Sequence, residues 1–158
     1  MIRDFQPGDF ETLWRMDQEC FEPGIAYSRR ELKAYIRHPA TFTLVATNGP
    51  TAGSAAEPEG EAVKNVQGFI VVHRGVTGHI ITIDVSPAAR RSRVGSELLQ
   101  TAEQRLRDAG CSAVSLETAV DNLAALAFYK RYGYNVIRTS PRYYSNGVDA
   151  LVLNKELG

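Results

Sequence analysis

The chain is poor in cysteine and histidine, and neither residue type is clustered. Cys20 and Cys111 are the only two cysteines in 158 residues, and they lie far apart. A disulfide scaffold or a thiolate metal cluster is thereby excluded, and the expected state is a pair of buried thiols in a reducing compartment. The three histidines, His38, His73 and His79, have no metal-ligand spacing, so no metal is expected. No stretch approaches the ~20 apolar residues of a membrane span. Met1 to Pro7 lacks the apolar run of a signal peptide, so the expected location is cytoplasmic, away from membranes. Charge of one sign is also missing, since 18 acidic and 18 basic side chains cancel. That excludes bulk attraction to nucleic acid, and any basic patch must be local. Neither a dinucleotide-binding glycine fingerprint nor a Gly-Lys-Ser/Thr phosphate loop occurs.

What remains is ordinary globular composition, 44% apolar and 23% charged, in a length suited to one domain over residues 1–158. Spacing predicts a helix over 7–20, broken at Glu22-Pro23-Gly24, and a second from the capping box Ser28 to Glu31 up to His38-Pro39. Strands follow at 42–46, 66–73 and 80–85. Between the first two of these, residues 48–64 carry almost no large apolar side chain and read as a flexible hairpin loop. Val94, Leu98, Ala102 and Leu106 mark a helix over 94–109 with Gly110 past its end. A strand at 114–119, a helix capped by Asp121 or Asn122 and ending at Tyr132-Gly133, and strands at 134–138 and 148–154 complete the order. The fold class is therefore α/β (α+β), with a mixed sheet of about six or seven strands and helices on both faces.

The chemistry gathers at two places. After Ile83, Asp84 and Val85 comes a short basic turn, Arg90, Arg91, Ser92 and Arg93, which feeds a helix through Val94, Gly95 and Ser96. Unpaired N–H groups at a helix start, beside arginines, suit a pyrophosphate, and Gly95 removes a side chain where backbone and phosphate would approach. The second place joins Glu117, at the end of a strand, to Asn122, Ala125 and Tyr129 on one helix face. A carboxylate and a phenol in one crevice can serve as general base and general acid. Asp84 is the odd residue on an apolar strand. It faces away from Ile83 and Val85, either to hold a substrate ammonium or to pair with a nearby hydroxyl or arginine. Tyr143 and Tyr144 precede the turn signal Asn146-Gly147.

From about Val66 to Leu157 the sequence resembles the GNAT N-acetyltransferase superfamily. Arg90-Arg91-Ser92-Arg93-Val94-Gly95 stands where that family carries its acetyl-CoA loop, and Asn122, Ala125 and Tyr129 match its helix motif. Leu116-Glu117, Tyr143-Tyr144 and Asp149-Ala150 are similar to the RimI-like protein N-terminal acetyltransferases. The resemblance implies a GNAT-like acyl-CoA N-acyltransferase fold with acetyl-CoA as cofactor and no metal. Ile83 to Val85 would pair with the pantetheine arm, and the amides of Arg91 to Ser96 would hold the pyrophosphate. Asn122 would fix the thioester end, Tyr129 would donate a proton to the departing thiolate, and Glu117 would deprotonate the amine. Phe21, Glu22 and Tyr27 would face Tyr143 and Tyr144 across a slot for a protein or peptide N-terminus, in a monomer or homodimer.

Three departures stand out. Arg93 replaces a loop glycine, and an L-residue can serve there only if its backbone angles stay in an ordinary region. Ala119 replaces an arginine and Val148 an acidic residue. Acetylation of a small-molecule amine, or acyl-CoA binding without catalysis, are the other activities these residues accommodate.

Overall fold

A computed structural model of the protein describes residues 1–48 and 65–158. Seven strands form one sheet: β1 (Ile2–Asp4), β2 (Thr41–Thr47), β3 (Val66–Arg74), β4 (Gly78–Val85), β5 (Ala113–Ala119), β6 (Asn135–Ser140) and β7 (Ala150–Glu156). Their spatial order is β1-β2-β3-β4-β5-β7-β6, and β4–β5 is the parallel pair. The helices are α1 (Phe10–Cys20), α2 (Arg29–Arg37), α3 (Val94–Asp108) and α4 (Leu123–Arg131). The expected mixed sheet with helices on both faces is what forms. The loop expected over 48–64 lies, beyond Asn48, outside the described residues. Its flanking strands β2 and β3 pair antiparallel, and the Asn48 N–H donates to the Asn65 carbonyl at 3.2 Å.

Strand alternation sorts the core into two layers. On one face Leu13, Met16 and Leu32 of α1 and α2 pack on Val45, Phe69 and Val71. On the other, Leu98, Leu99, Ala102 and Leu106 of α3 pack on Leu44, Ile70, Val72, Val114 and Leu116. The α2 capping box is present: the Ser28 hydroxyl accepts from the Glu31 N–H at 3.1 Å, and the Glu31 carboxylate accepts from the Ser28 N–H at 3.0 Å. The first helix starts at Phe10 rather than Pro7. Residues Pro7–Asp9 form a 3-10 turn, and the Asp9 carboxylate is held by Arg3, at 2.8 Å on both oxygens. The same neighbourhood contains β1, too short to show a period; pairing of Ile2 with Ala46 decides it.

One irregularity positions everything that follows. Strands β4 and β5 are joined only through Gly78–Ile80 and Val114–Leu116. Beyond that, β4 stays with β3 as far as Val85 and β5 stays with β7 as far as Ala119. Val71 pairs with Thr82 and Val72 with Ile80, so Ile81 is an extra residue on β4. Such a bulge bends its strand, and here the bend falls where the sheet opens.

Candidate active site

The opening between β4 and β5 is a cleft of about 1680 Å³. Because successive residues of a strand address alternate neighbours, Ile81, Ile83 and Val85 turn their main-chain groups toward it. The Ile81 carbonyl accepts from the Tyr27 hydroxyl at 3.2 Å, and the Val85 carbonyl from Arg90 Nε at 3.3 Å. Ile83 lies between them with the same orientation toward the open edge. Of the expected strand contacts, Ile83 and Val85 line the cleft, but Asp84 does not. Its side chain is 1% exposed, packed under α1 on the other face of β4, and accepts the Thr82 hydroxyl at 2.6 Å. The Asp84 side chain thus lies outside the cleft lining, and of the alternatives the hydroxyl pairing is the one seen.

At the end of β4 the basic turn meets the start of α3. Arg90, Arg91, Arg93, Val94, Gly95 and Ser96 line the cleft there, while Ser92 turns its hydroxyl back to the Ala89 carbonyl and does not. One backbone requirement read from the sequence is not met. Arg93 does not keep ordinary angles: it caps α3 with φ 69° and ψ 4°, and Arg91 has φ 67°. Both are left-handed, which costs an L-residue roughly 1–2 kcal/mol. A Cβ on Gly95 would meet the Phe128 ring at 3.4 Å and Val85 at 3.5 Å, both ordinary contact distances. Arg93→Gly is accordingly expected to stabilise the fold by about 0.5–1 kcal/mol, the relief of strain being offset in part by glycine's greater freedom when unfolded. Urea unfolding would register this as a higher midpoint at unchanged slope.

Across the cleft, Asn122 caps α4, and its side-chain carbonyl accepts from the Ala125 N–H at 3.1 Å. That fixes the amide so that its NH2 is left for a ligand. Asn122, Ala125 and Tyr129 all line the cleft, as their spacing required. Tyr129 is 6% exposed and stacks edge-on with Phe128 and Tyr134. Burial, and then the negative charge of Asp84, hold its hydroxyl above the ordinary phenol value. It thus remains protonated, able to donate a hydrogen bond, near neutral pH.

The other mouth of the cleft lies on the face of α1 and α2. Glu117 is hydrogen-bonded to His79, 2.5 Å between Oε2 and Nε2. His79 was not among the sequence candidates. The signal was in the strand parity: His79 lies beside Ser115 in the parallel register, so Glu117, two residues on, shares its face. Tyr143 and Tyr144, packed edge to face at 4.9 Å, stand close enough that the Glu117 charge raises both phenols, after burial as the main cause. Phe21, Glu22 and Tyr27 line the same space. The two loops are tied together, with Ser145 donating to the Gly24 carbonyl at 2.9 Å and the Asn146 amide to Glu22 at 3.2 Å. Gly24 has φ 91°, and a Cβ on it would lie 2.7 Å from the Asn146 Cβ. Gly24→Ala should therefore part the loops; with the acceptor expected at this mouth and the cofactor at the other, the acceptor KM should rise several-fold at constant cofactor affinity, and initial rates against CoA titration would separate the two.

Cys20 is the thiol at this cleft, half-buried rather than buried as expected; Cys111 is buried. Burial pushes the Cys20 thiol up to about 11, so it is protonated and a poor nucleophile near neutrality. Among the described residues no group of three or more side chains could hold a metal ion, and no helix is long and apolar enough to cross a membrane.

The split mixed sheet carries an arginine-lined helix start at one mouth of its cleft and a carboxylate at the other, an arrangement suited to group transfer from an anionic donor. The comparisons make this particular: residues 10–134 match the model of the Acetyltransferase (GNAT) family, and the chain belongs to it. It is an acetyl-CoA-dependent acetyltransferase. An uncharacterised N-acetyltransferase of Methanocaldococcus jannaschii is 29% identical over 99% of this chain and 91% of its own length. Human N-alpha-acetyltransferase 30 is 37% identical over 96% of this chain, a match that spans 43% of the human protein. Among solved structures, Ard1 from Thermoplasma volcanium superposes with a TM-score of 0.82 at 27% identity, covering 99% of this chain and 96% of that one.

Proposed function

We propose that the enzyme acetylates the N-terminal α-amino group of a protein or peptide, by direct transfer. The observation that carries this is the placement of chemistry on opposite faces of the split sheet. The arginine-lined helix start, Asn122 and Tyr129 belong to the α3 and α4 side, and Glu117 with His79 and the tyrosines to the α1 and α2 side. Donor and acceptor can meet through the split without a covalent enzyme intermediate, which suits the protonated state of Cys20.

Acetyl-CoA supplies an activated acetyl group as a thioester. The main-chain groups of Ile83 fit its extended arm, and the first-turn N–H groups of α3, with Arg91 and Arg93 beside them, fit its pyrophosphate. The Asn122 amide orients the thioester end. Glu117, bonded to His79, takes a proton from the entering ammonium. An α-amine, with pKa ≈ 7.7–8.0, asks less of such a base than a lysine at ≈ 10.4. The Tyr129 hydroxyl donates to the departing sulfur. The joined loops and the Tyr143–Tyr144 wall make a slot suited to the end of a chain, and the relatives that are named N-alpha-acetyltransferases support the same substrate class.

The test offers the purified enzyme acetyl-CoA with three acceptors: free N-terminal peptides, lysine peptides with blocked N-termini, and small amines. Free thiol release is followed. Turnover confined to the first set is expected. Turnover on small amines alone would replace this reading, and CoA binding without turnover on any acceptor would point to a binding module.

A further inference from the structure

Two acidic side chains sit where water does not reach. Asp17 of α1 is fully buried and Asp84 of β4 nearly so. Each has one oxygen satisfied: Asp17 Oδ2 accepts from the Tyr27 N–H at 2.7 Å, and Asp84 Oδ1 from the Thr82 hydroxyl at 2.6 Å. The remaining oxygens, Asp17 Oδ1 and Asp84 Oδ2, are buried without a donor among the described residues. The two carboxyl groups are within hydrogen-bond reach of one another. Two acceptors cannot bond unless a proton lies between them, and a bare pair of anions in a dry contact is strongly disfavoured.

We propose that Asp17 and Asp84 share one proton, and that this acid–carboxylate bond pins the Tyr27 wall of the acceptor slot to β4. The proposal rests on the reading of that slot as the acceptor site. Tyr27 is the connecting piece. Its N–H is held by Asp17, its carbonyl accepts from Gln18 at 2.7 Å and Trp14 at 3.2 Å, and its hydroxyl reaches the bulged Ile81. Losing the shared proton would set two negative charges against each other between α1 and β4, and the residue tied directly to Asp17 is Tyr27. The surroundings offer no relief. The groups coupled to the pair are Glu31 of α2, itself an acid, Cys20 of α1, Tyr27, and Tyr129 of α4. The Arg90 guanidinium, just past the end of β4, is bonded to Val85 and Cys20. Burial first, and then the second acid, hold Asp84 above the usual carboxylate range, and burial raises Asp17 as well.

The sign of the consequence follows from linkage. The unfolded chain has lost this proton once the pH passes the ordinary aspartate range, whereas the folded chain still holds it. Between that range and the raised value of the folded pair, stability falls as pH rises, by about tenfold in the folding equilibrium constant per pH unit. Asp84→Asn or Asp17→Asn supplies a fixed N–H of the same shape in place of the proton, so this fall should vanish. The experiment compares unfolding of the wild type and both variants from mildly acidic to alkaline pH, with the peptide KM measured in parallel. The expected result is that the variants gain on the wild type as pH rises. The peptide KM should climb more steeply at alkaline pH in the wild type than in the variants. Parallel stability profiles would overturn the shared proton. A widening stability gap with identical KM profiles would overturn the pinning of the slot. Failure of the enzyme to acetylate peptides would contradict the proposed function but would leave the unfolding comparison intact, so the two readings fail separately.

Discussion

Tyr129→Phe is expected to lower kcat by roughly 10²–10³-fold, the usual loss on removing one preorganised donor from a transition state, while the peptide KM stays constant. The hydroxyl is held in a buried aromatic cluster of Phe128, Tyr132 and Tyr134, so the phenylalanine ring fills the same space and the fold is not at issue. Because burial and Asp84 hold this phenol above its ordinary value, its proton stays largely on oxygen. Its contribution in the proposed mechanism is a hydrogen bond that would strengthen as charge develops on sulfur, from a donor that is itself buried. Single-turnover acetyl transfer measured in the variant checks this directly. An unchanged rate would remove Tyr129 from the chemistry and leave it a packing residue.

Glu117→Gln is expected to lower kcat/KM by about 10²–10⁴-fold near neutral pH, the range for a positioned general base. Glutamine retains a partner for His79, so the 2.5 Å contact is conserved in form and the ability to take a proton is lost. The deficit carries a signature. The acceptor's own α-ammonium, with pKa ≈ 7.7–8.0, gives up its proton as pH rises. The variant should therefore regain ground on the wild type toward alkaline pH, where less base catalysis is needed. Initial rates of thiol release across pH measure it. A pH-independent deficit would mean that Glu117 positions the amine rather than deprotonating it.

The parts of this site that a one-dimensional pattern can hold were legible. Helical spacing brought Asn122, Ala125 and Tyr129 to one wall, and the turn of arginines before Gly95 marked the start of α3. Strand alternation placed Asp84 on the face away from Ile83. What was not legible depends on register or on backbone torsion. His79 joins Glu117 only because a parallel pairing aligns it with Ser115. Asp17 meets Asp84 across α1 and β4, in a packing that no local spacing encodes. The left-handed angles of Arg91 and Arg93 contradict the preference of L-residues, so propensity points away from them. The short β1 lacks a period altogether. Gly24 reads as a helix breaker, and its role in letting two loops touch emerges only with Asn146 in place.

The seven strands behave as two ladders, β1 to β4 and β5 to β7, sharing only three rungs between Gly78–Ile80 and Val114–Leu116. In the proposed binding mode, a cofactor arm laid along Ile83 would supply rungs that are missing. Cohesion of the sheet and affinity for the cofactor would then be linked. A substitution remote from the cleft, if it lets one ladder swing against the other, will register first as weaker cofactor binding and only later as unfolding.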